Sequence, residues 1–201
     1  MPNLSRLLIF ASDMDEILNL KMLRPLPDLK LLWLAGKLDG GTVPSLFSKF
    51  EKLTLLKMDW TGPKKDPIRS FSHLSTLVDL GLRGAYGGEH LSFCAGWFPK
   101  LKNLQLADME HLSCILMEDG TVIGLHHLEL IGLRNTRAVP KGIKYIRTLH
   151  QMFLTDIPME FVESLQGSAS HIVQHVTNVH IFYSSDSEAA GNIHILTMPI
   201  T

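Results

Sequence analysis

The chain has 201 residues, of which 45% are hydrophobic and 19% charged, and its formal net charge is −1. That length suits one domain or a small pair, and so small a net charge offers no basic field to a phosphate backbone, which excludes nucleic acid as an expected partner. No run of about 18 apolar residues is present, so membrane insertion is not expected. The opening residues, Met1 to Arg6, lead into a short mixed stretch rather than a long apolar core, and the cysteines number only two. A cytoplasmic protein is the expectation.

Taken in chain order, the first recognisable element is a weak Leu4, Leu7, Ile9 pattern. It becomes regular as Leu-x-x-Leu-x-Leu at Leu29, Leu32 and Leu34. The pattern returns at Leu53, Leu56 and Met58, at Leu77, Leu80 and Leu82, and at Leu101, Leu104 and Leu106. Two further copies follow, at Leu125, Leu128 and Leu130 and at Leu149, Met152 and Leu154. Each step is 24 residues, and of these 18 positions 16 are Leu and two are Met. Val176, Val179 and Ile181 form a last, degenerate copy 27 residues on.

A helix does not explain this spacing. At about 100° per residue the third leucine of each copy would leave the face shared by the other two. In a strand the second and third leucines point the same way, and the first turns inward from the bend before it. A period of about 20–29 residues with this wording is that of a leucine-rich repeat. The predicted fold is α/β: an open, horseshoe-shaped solenoid with a parallel concave β-sheet and a convex side of loops, 3₁₀ turns and short helices. We expect a single domain over residues 1–201 with about eight coils. The first, weaker coil covers 1–25, the regular coils 26–157, and the degenerate last coil and tail 158–201.

The return segments should complete the core. Val43, Leu46 and Phe50 serve one coil; Ile68, Phe71 and Leu74 the next; then Leu91, Phe93, Trp97 and Phe98, and later Leu112, Ile115, Val139, Ile143 and Ile146. Asp39-Gly40-Gly41, Gly87-Gly88 and Asp119-Gly120 read as turns. Pro44, Pro67, Pro99, Pro140 and Pro158 all fall outside the strands. Residues 183–192, rich in Ser and Asp, read as a loop, and the tail from Ile193 as an edge strand.

Several segments have a more particular wording: Leu77-Val78-Asp79-Leu80-Gly81-Leu82, Ala85-Tyr86-Gly87-Gly88-Glu89, Gly96-Trp97-Phe98-Pro99-Lys100-Leu101, Val139-Pro140-Lys141-Gly142-Ile143 and Pro158-Met159-Glu160-Phe161. In these the stretch 26–165 resembles the leucine-rich-repeat region of plant coiled-coil, nucleotide-binding disease-resistance proteins, grass members above all. The resemblance implies protein recognition in intracellular immunity, by ligand sensing or by restraint of a nucleotide-binding module. The implied partner is a protein: a pathogen effector, a guarded host protein or that module. The chain departs from the general repeat where an Asn or Cys is usual, placing Lys37, Thr61, Ala85, Met109, Leu133 and Ile157 there. Apolar filling is expected in place of an asparagine ladder. Two rival readings are a truncated scaffold or regulator of such receptors and a substrate adaptor in ubiquitin transfer.

The residues flanking the buried leucines should form three outward columns on the concave face. The central one runs Leu8, Trp33, Lys57, Gly81, Gln105, Glu129, Phe153, His180. The preceding one runs Arg6, Leu31, Leu55, Asp79, Asn103, His127, Gln151, Asn178, and the following one Phe10, Ala35, Asp59, Arg83, Ala107, Ile131, Thr155, Phe182. Candidate protein-binding residues are Phe10, Trp33, Lys57, Asp59, Asp79, Arg83, Gln105, His127, Glu129, Phe153, His180 and Phe182. The aromatics at the two ends are either interface anchors or packing for loops and a neighbouring domain; the polar middle is either contact or solvated surface.

No catalytic, metal or cofactor role is assigned, and the chain is read as no enzyme. Asp13, Asp15 and Glu16 are too few oxygen ligands for calcium. His126 and His127 face opposite sides of a strand. Cys94 and Cys114, 20 residues apart and so close to one repeat, read as buried thiols on adjacent coils.

Overall fold

The computed structural model describes residues 4–13, 16–20, 26–41, 43, 45–184 and 196–197. The expectations placed on Pro44, on Asp15, on the side chain of Leu46 and on loop residues 185–192 lie outside them.

The strands in chain order are β1 (Arg6–Phe10), β2 (Ile17–Leu18), β3 (Leu31–Ala35), β4 (Lys37–Leu38), β5 (Leu55–Asp59), β6 (Asp79–Arg83) and β7 (His90–Phe93). They continue with β8 (Asn103–Ala107), β9 (Cys114–Met117), β10 (His127–Ile131), β11 (Gln151–Thr155), β12 (Asn178–Phe182) and β13 (Leu196–Thr197). One sheet runs β1-β3-β5-β6-β8-β10-β11-β12-β13. Its first eight strands are parallel neighbours. The short β13 pairs antiparallel with β12. A parallel neighbour in so regular an order requires the chain to complete one turn between strands, which is the solenoid that the 24-residue period demands.

Alternation along each strand decides what faces inward. Leu32 and Leu34 of β3 are buried while Leu31, Trp33 and Ala35 are half-exposed, and β5, β10, β11 and β12 repeat that pattern. The first leucines, Leu29, Leu53, Leu77, Leu101, Leu125 and Leu149, are all fully buried. They join the strand leucines in one continuous core. Burying a leucine contributes about 1.5–3 kcal/mol, and no coil could enclose its own, so each coil is stable only against its neighbours.

On the convex side the expected core residues Phe50, Ile68, Phe71, Leu74, Leu91, Phe93, Phe98, Leu112, Ile115, Ile143 and Ile146 are buried. Val43 and Trp97 are only partly so. Phe47, absent from the expected set, is buried at 1% exposure and sits between Phe50 and Phe71, with ring centroids at 5.6 and 5.5 Å. Short helices α1 (Ile68–Phe71), α2 (Met159–Gln166) and α3 (Ser170–Val173) and 3₁₀ turns such as Lys141–Tyr145 lie here. Beyond the loops and turns expected, two further pairs of strands join successive coils outside the main sheet: β7 lies parallel to β9, and β2 to β4. Leu91 and Phe93 alternate inward, as do Ile115 and Met117.

At the usual Asn or Cys position Ala85, Met109, Leu133 and Ile157 fill the core, as does Thr61, while Lys37 is exposed. The bend is closed by another device. The residue after each regular strand has a positive φ: Gly36 (128°), Trp60 (57°), Gly84 (51°), Asp108 (52°), Gly132 (60°) and Asp156 (50°). Its N–H donates to the last strand carbonyl of the next coil, for instance Gly36 to Asp59 at 3.0 Å, Gly84 to Ala107 at 2.8 Å and Asp156 to Phe182 at 2.9 Å. These bonds staple successive coils at the C-terminal ends of their strands.

Cys94 and Cys114 do lie on adjacent coils, just after β7 and at the start of β9, where Cys114 pairs in register with His90. Their expected burial is corrected: both thiols are partly exposed.

Candidate concave recognition surface

Strand register assembles the outward columns into ladders. Arg6, Leu31, Leu55, Asp79, Asn103, His127, Gln151 and Asn178 are successive partners, and so are Leu8, Trp33, Lys57, Gly81, Gln105, Glu129, Phe153 and His180. Phe10, Ala35, Asp59, Arg83, Ala107, Ile131, Thr155 and Phe182 make the third. Gly81 and Ala107 depart from their columns in being buried.

All twelve candidate residues lie in these ladders, but they divide into three groups. At the N-terminal end Phe10 meets Trp33 edge to face, with ring centroids at 5.3 Å and planes at 76°. The indole Nε1 of Trp33 donates to Asp59 Oδ2 at 2.7 Å, and the Lys57 ammonium lies 5.2 Å from the Trp33 ring centroid. The cation and carboxylate of adjacent ladders are thus held through one indole. Leu8 and Phe10 are 48% and 52% exposed, which leaves an apolar margin beside this group.

At the other end Phe153, His180 and Phe182 form a parallel stack. Phe153 lies 4.8 Å from His180 with planes at 13°, and 6.4 Å from Phe182 with planes at 6°. Parallel strands about 4.8 Å apart put equivalent side chains one above the next, and flat rings fill that spacing. Both end groups thus pack partly within the sheet while keeping a half-exposed surface.

The middle is polar and ordered by hydrogen bonds between coils. Asn103 Nδ2 donates to Asp79 Oδ1, and Gln105 Nε2 donates to Glu129 Oε2 at 2.6 Å. Between these pairs the missing side chain of Gly81 opens a notch of about 300 Å³, lined by Lys57, Asp79, Gln105, His127, Glu129 and Phe153 among others. Arg83 points to the rim, its Nε 3.5 Å from Asp108 Oδ2. Asn103 was not among the candidates, although its place beside Asp79 in the column marks it as a donor for that carboxylate.

A second concavity, about 710 Å³, opens on the rim beyond the strand ends, lined by Trp60, Gly84, Tyr86, Asp108, His111 and Arg134 among others. Sequence reasoning missed Trp60 because it follows the strand instead of alternating within it. Elsewhere, Asp66 accepts hydrogen bonds from the N–H groups of Ile68 and Ser92 at 2.9 Å each, which ties two coils together on the convex side. Burial pushes its carboxyl above the usual carboxylate range. Among the described residues no group of three or more His, Cys, Asp or Glu side chains is placed to hold a metal ion. Nor is any helix among them long and apolar enough to cross a membrane.

No family model matches the chain. Curated relatives do. Disease resistance protein RPM1 of Arabidopsis thaliana is 31% identical over 178 residues, which make up 87% of this chain and 19% of RPM1. Disease resistance RPP8-like protein 3 of the same plant is 27% identical over 126 residues, 62% of this chain and 14% of that protein. Disease resistance protein RPP8 is 26% identical over 154 residues, 75% of this chain and 17% of its own length. The chain therefore spans less than a fifth of the length of these relatives. The ladder of leucines, the parallel concave sheet and these similarities agree: the chain belongs with the leucine-rich-repeat regions of plant disease-resistance proteins.

Proposed function

We propose that this chain is the protein-recognition part of a plant immune receptor acting in the cytoplasm, either sensing a ligand or holding a nucleotide-binding module in check. The partner is a protein: a pathogen effector, a guarded host protein or that module. The observation that carries this reading is the concave face itself. It sets aromatic groups at both ends of a polar, notched middle, and each group is already held in place by contacts between coils. Pre-ordered side chains lose less freedom on binding, and buried aromatics dominate protein interfaces. The kinship with RPM1 and the RPP8 proteins supplies the defence setting.

The test is binding of the purified full chain to the nucleotide-binding module of a plant disease-resistance protein and to a panel of pathogen effector proteins, measured by calorimetry. At least one should bind, and Trp33→Ala combined with Phe153→Ala should weaken that binding at least about tenfold, the loss of two interface anchors. Binding that is unchanged in the double variant, or absent from every partner tried, overturns the reading.

A further inference from the structure

The Gly81 notch is lined by the carboxylates of Asp79 and Glu129, the amides of Asn103 and Gln105, the imidazole of His127, and the apolar surfaces of Lys57 and Phe153. Gly81 stands between Lys57 and Gln105 in the central ladder. A Cβ placed on it would lie 3.3 Å from Lys57 Cγ and 3.6 Å from Gln105 Oε1. One wall is therefore the aliphatic stem of Lys57, whose ammonium is turned away over the Trp33 ring. The other is the carbonyl oxygen of Gln105.

The orientation of the two amides follows from their partners. A carboxylate only accepts, so Asn103 must turn its nitrogen to Asp79, and Gln105 its nitrogen to Glu129. Each amide thus directs an N–H at a carboxylate instead of at a ligand. Each carboxylate keeps a second oxygen that makes no hydrogen bond to the described residues.

Both carboxylates reach β8, at residues 103 and 105, positions roughly 7 Å apart along a strand. Neither Asp79 nor Glu129 has a cation partner among the described residues. Arg83 is drawn off to Asp108, and Lys57 to Trp33. Phe153, one face of which is covered by His180, borders the same notch.

We infer that the notch receives an arginine side chain from a basic segment of the protein that docks on the concave face. This rests on the recognition reading above and names the chemistry of the partner. A guanidinium has five N–H donors in a fixed plane and no acceptor. It matches two carboxylates and an amide oxygen set around a gap, and it stacks on an aromatic ring as an ammonium does less well. A partner carboxylate would instead face two like charges, Asp79 and Glu129.

The probe is a set of hexapeptides with a central Arg, citrulline, Lys or Glu in a constant Ser, Gly and Leu frame, with affinity read by fluorescence anisotropy against the full chain. Citrulline keeps the shape of arginine and removes its charge. The arginine peptide should bind about tenfold more tightly than the citrulline peptide, the usual scale of a charge-assisted pair. That advantage should vanish in Asp79→Asn combined with Glu129→Gln, which keep the side-chain shapes. Gly81→Val should block the peptide by filling the notch, with the circular dichroism spectrum of each variant unchanged. Equal binding of arginine and citrulline, an advantage that survives the double variant, or failure of all peptides to bind overturns the inference. If protein partners still lose affinity with Trp33→Ala and Phe153→Ala while arginine and citrulline bind alike, only the notch assignment falls. If those two substitutions leave partner binding intact, the recognition reading itself falls.

Discussion

The indole of Trp60 lies against Gly84 and occupies the space where a side chain on that glycine would begin. The two residues hold the same position in successive coils, immediately after β5 and β6, and both have a positive φ. A bulky residue in this conformation is strained. Gly84→Ala would add a second strained residue and drive a methyl group into the ring. The expected loss is about 2 kcal/mol or more, part from the left-handed backbone and part from overpacking. Trp60→Gly should relieve the clash and recover the overpacking part of the loss in the double variant, while the backbone part remains. Denaturant midpoints for the two single variants and the double one check this; additive effects would show that the ring and the glycine are not coupled.

Leu104 tests the shared core. It is 1% exposed and lies in β8, between β6 and β10. Leu104→Ala should cost about 2–5 kcal/mol through the lost transfer energy and the cavity left behind. Leu104→Asp should abolish cooperative unfolding, because an unpaired carboxylate would enter the core and because neighbouring coils depend on this one for burial. A sigmoidal thermal transition retained by the Asp variant would show that the coils are more independent than the continuous core implies.

Much of this architecture was legible in the sequence, and the reason is side-chain direction. Strand period 2 fixes which residues flank the leucines, so the three outward ladders follow from the sequence alone. Trp33, Phe153 and the polar middle are where that reasoning puts them. Less could be read from the same residues about contacts. The outward alternation does not say that Lys57 bends onto Trp33 or that Gln105 turns its nitrogen to Glu129, because these depend on rotamers. The notch at Gly81 was visible only as a small residue in a column of large ones. The staple after each strand was concealed by its mixed chemistry. Gly36, Gly84 and Gly132 announce a left-handed position every second coil, but Trp60, Asp108 and Asp156 interrupt the series. Convex pairing was harder still: the strands β7 and β9 are four residues each, too short for alternation to be distinguished from an irregular apolar segment.

Trp33→Ala and Phe153→Ala separate surface from core. The inward neighbours Leu32, Leu34, Met152 and Leu154 stay buried in both variants. Trp33→Ala removes one edge-to-face contact, one cation–ring contact and one hydrogen bond. The expected stability loss is about 1–2 kcal/mol, since each such contact at a half-exposed site contributes about 1 kcal/mol or less. Far-ultraviolet circular dichroism should be unchanged and the melting temperature lowered by a few degrees. Loss of the folded signal would mean that the concave aromatics are structural.

His175 gives the fold a dependence on pH. Its Nε2 donates to the carbonyl of Ile146 at 2.9 Å, which leaves Nδ1 as the acceptor nitrogen, and Nδ1 is buried with no hydrogen-bond partner among the described residues. Burial first, then Arg147 and His150, hold this imidazole below its ordinary range, against the opposing pull of the Ile146 bond. The unfolded chain therefore takes up the proton more readily than the folded one. Stability from this group is fully present above about pH 6.5, the unfolded value. It is lost as pH falls from there through the lower folded value. The denaturant midpoint should drop between pH 7 and pH 5, and His175→Gln, which can keep a donor toward Ile146 without titrating, should flatten that slope. His126 is shifted the same way by burial, Lys102, His150 and His127. It lies at the surface, so its share should fade at high salt.

Thr61 offers a change of the opposite sign. It occupies the position where the repeat usually carries Asn or Cys, and it is 1% exposed. Its carbonyl accepts from the Leu38 N–H at 3.1 Å, but its hydroxyl has no hydrogen-bond partner among the described residues. A buried hydroxyl left unpaired costs about 1–3 kcal/mol in lost solvation. Valine has nearly the same shape, and at the equivalent positions Ala85, Met109, Leu133 and Ile157 pack without a polar atom in the side chain able to donate. Thr61→Val should therefore raise stability by about 1 kcal/mol, read as a higher denaturant midpoint at unchanged slope. A destabilised Thr61→Val would show that the hydroxyl is satisfied in solution and that this bend tolerates a polar group as the usual asparagine does.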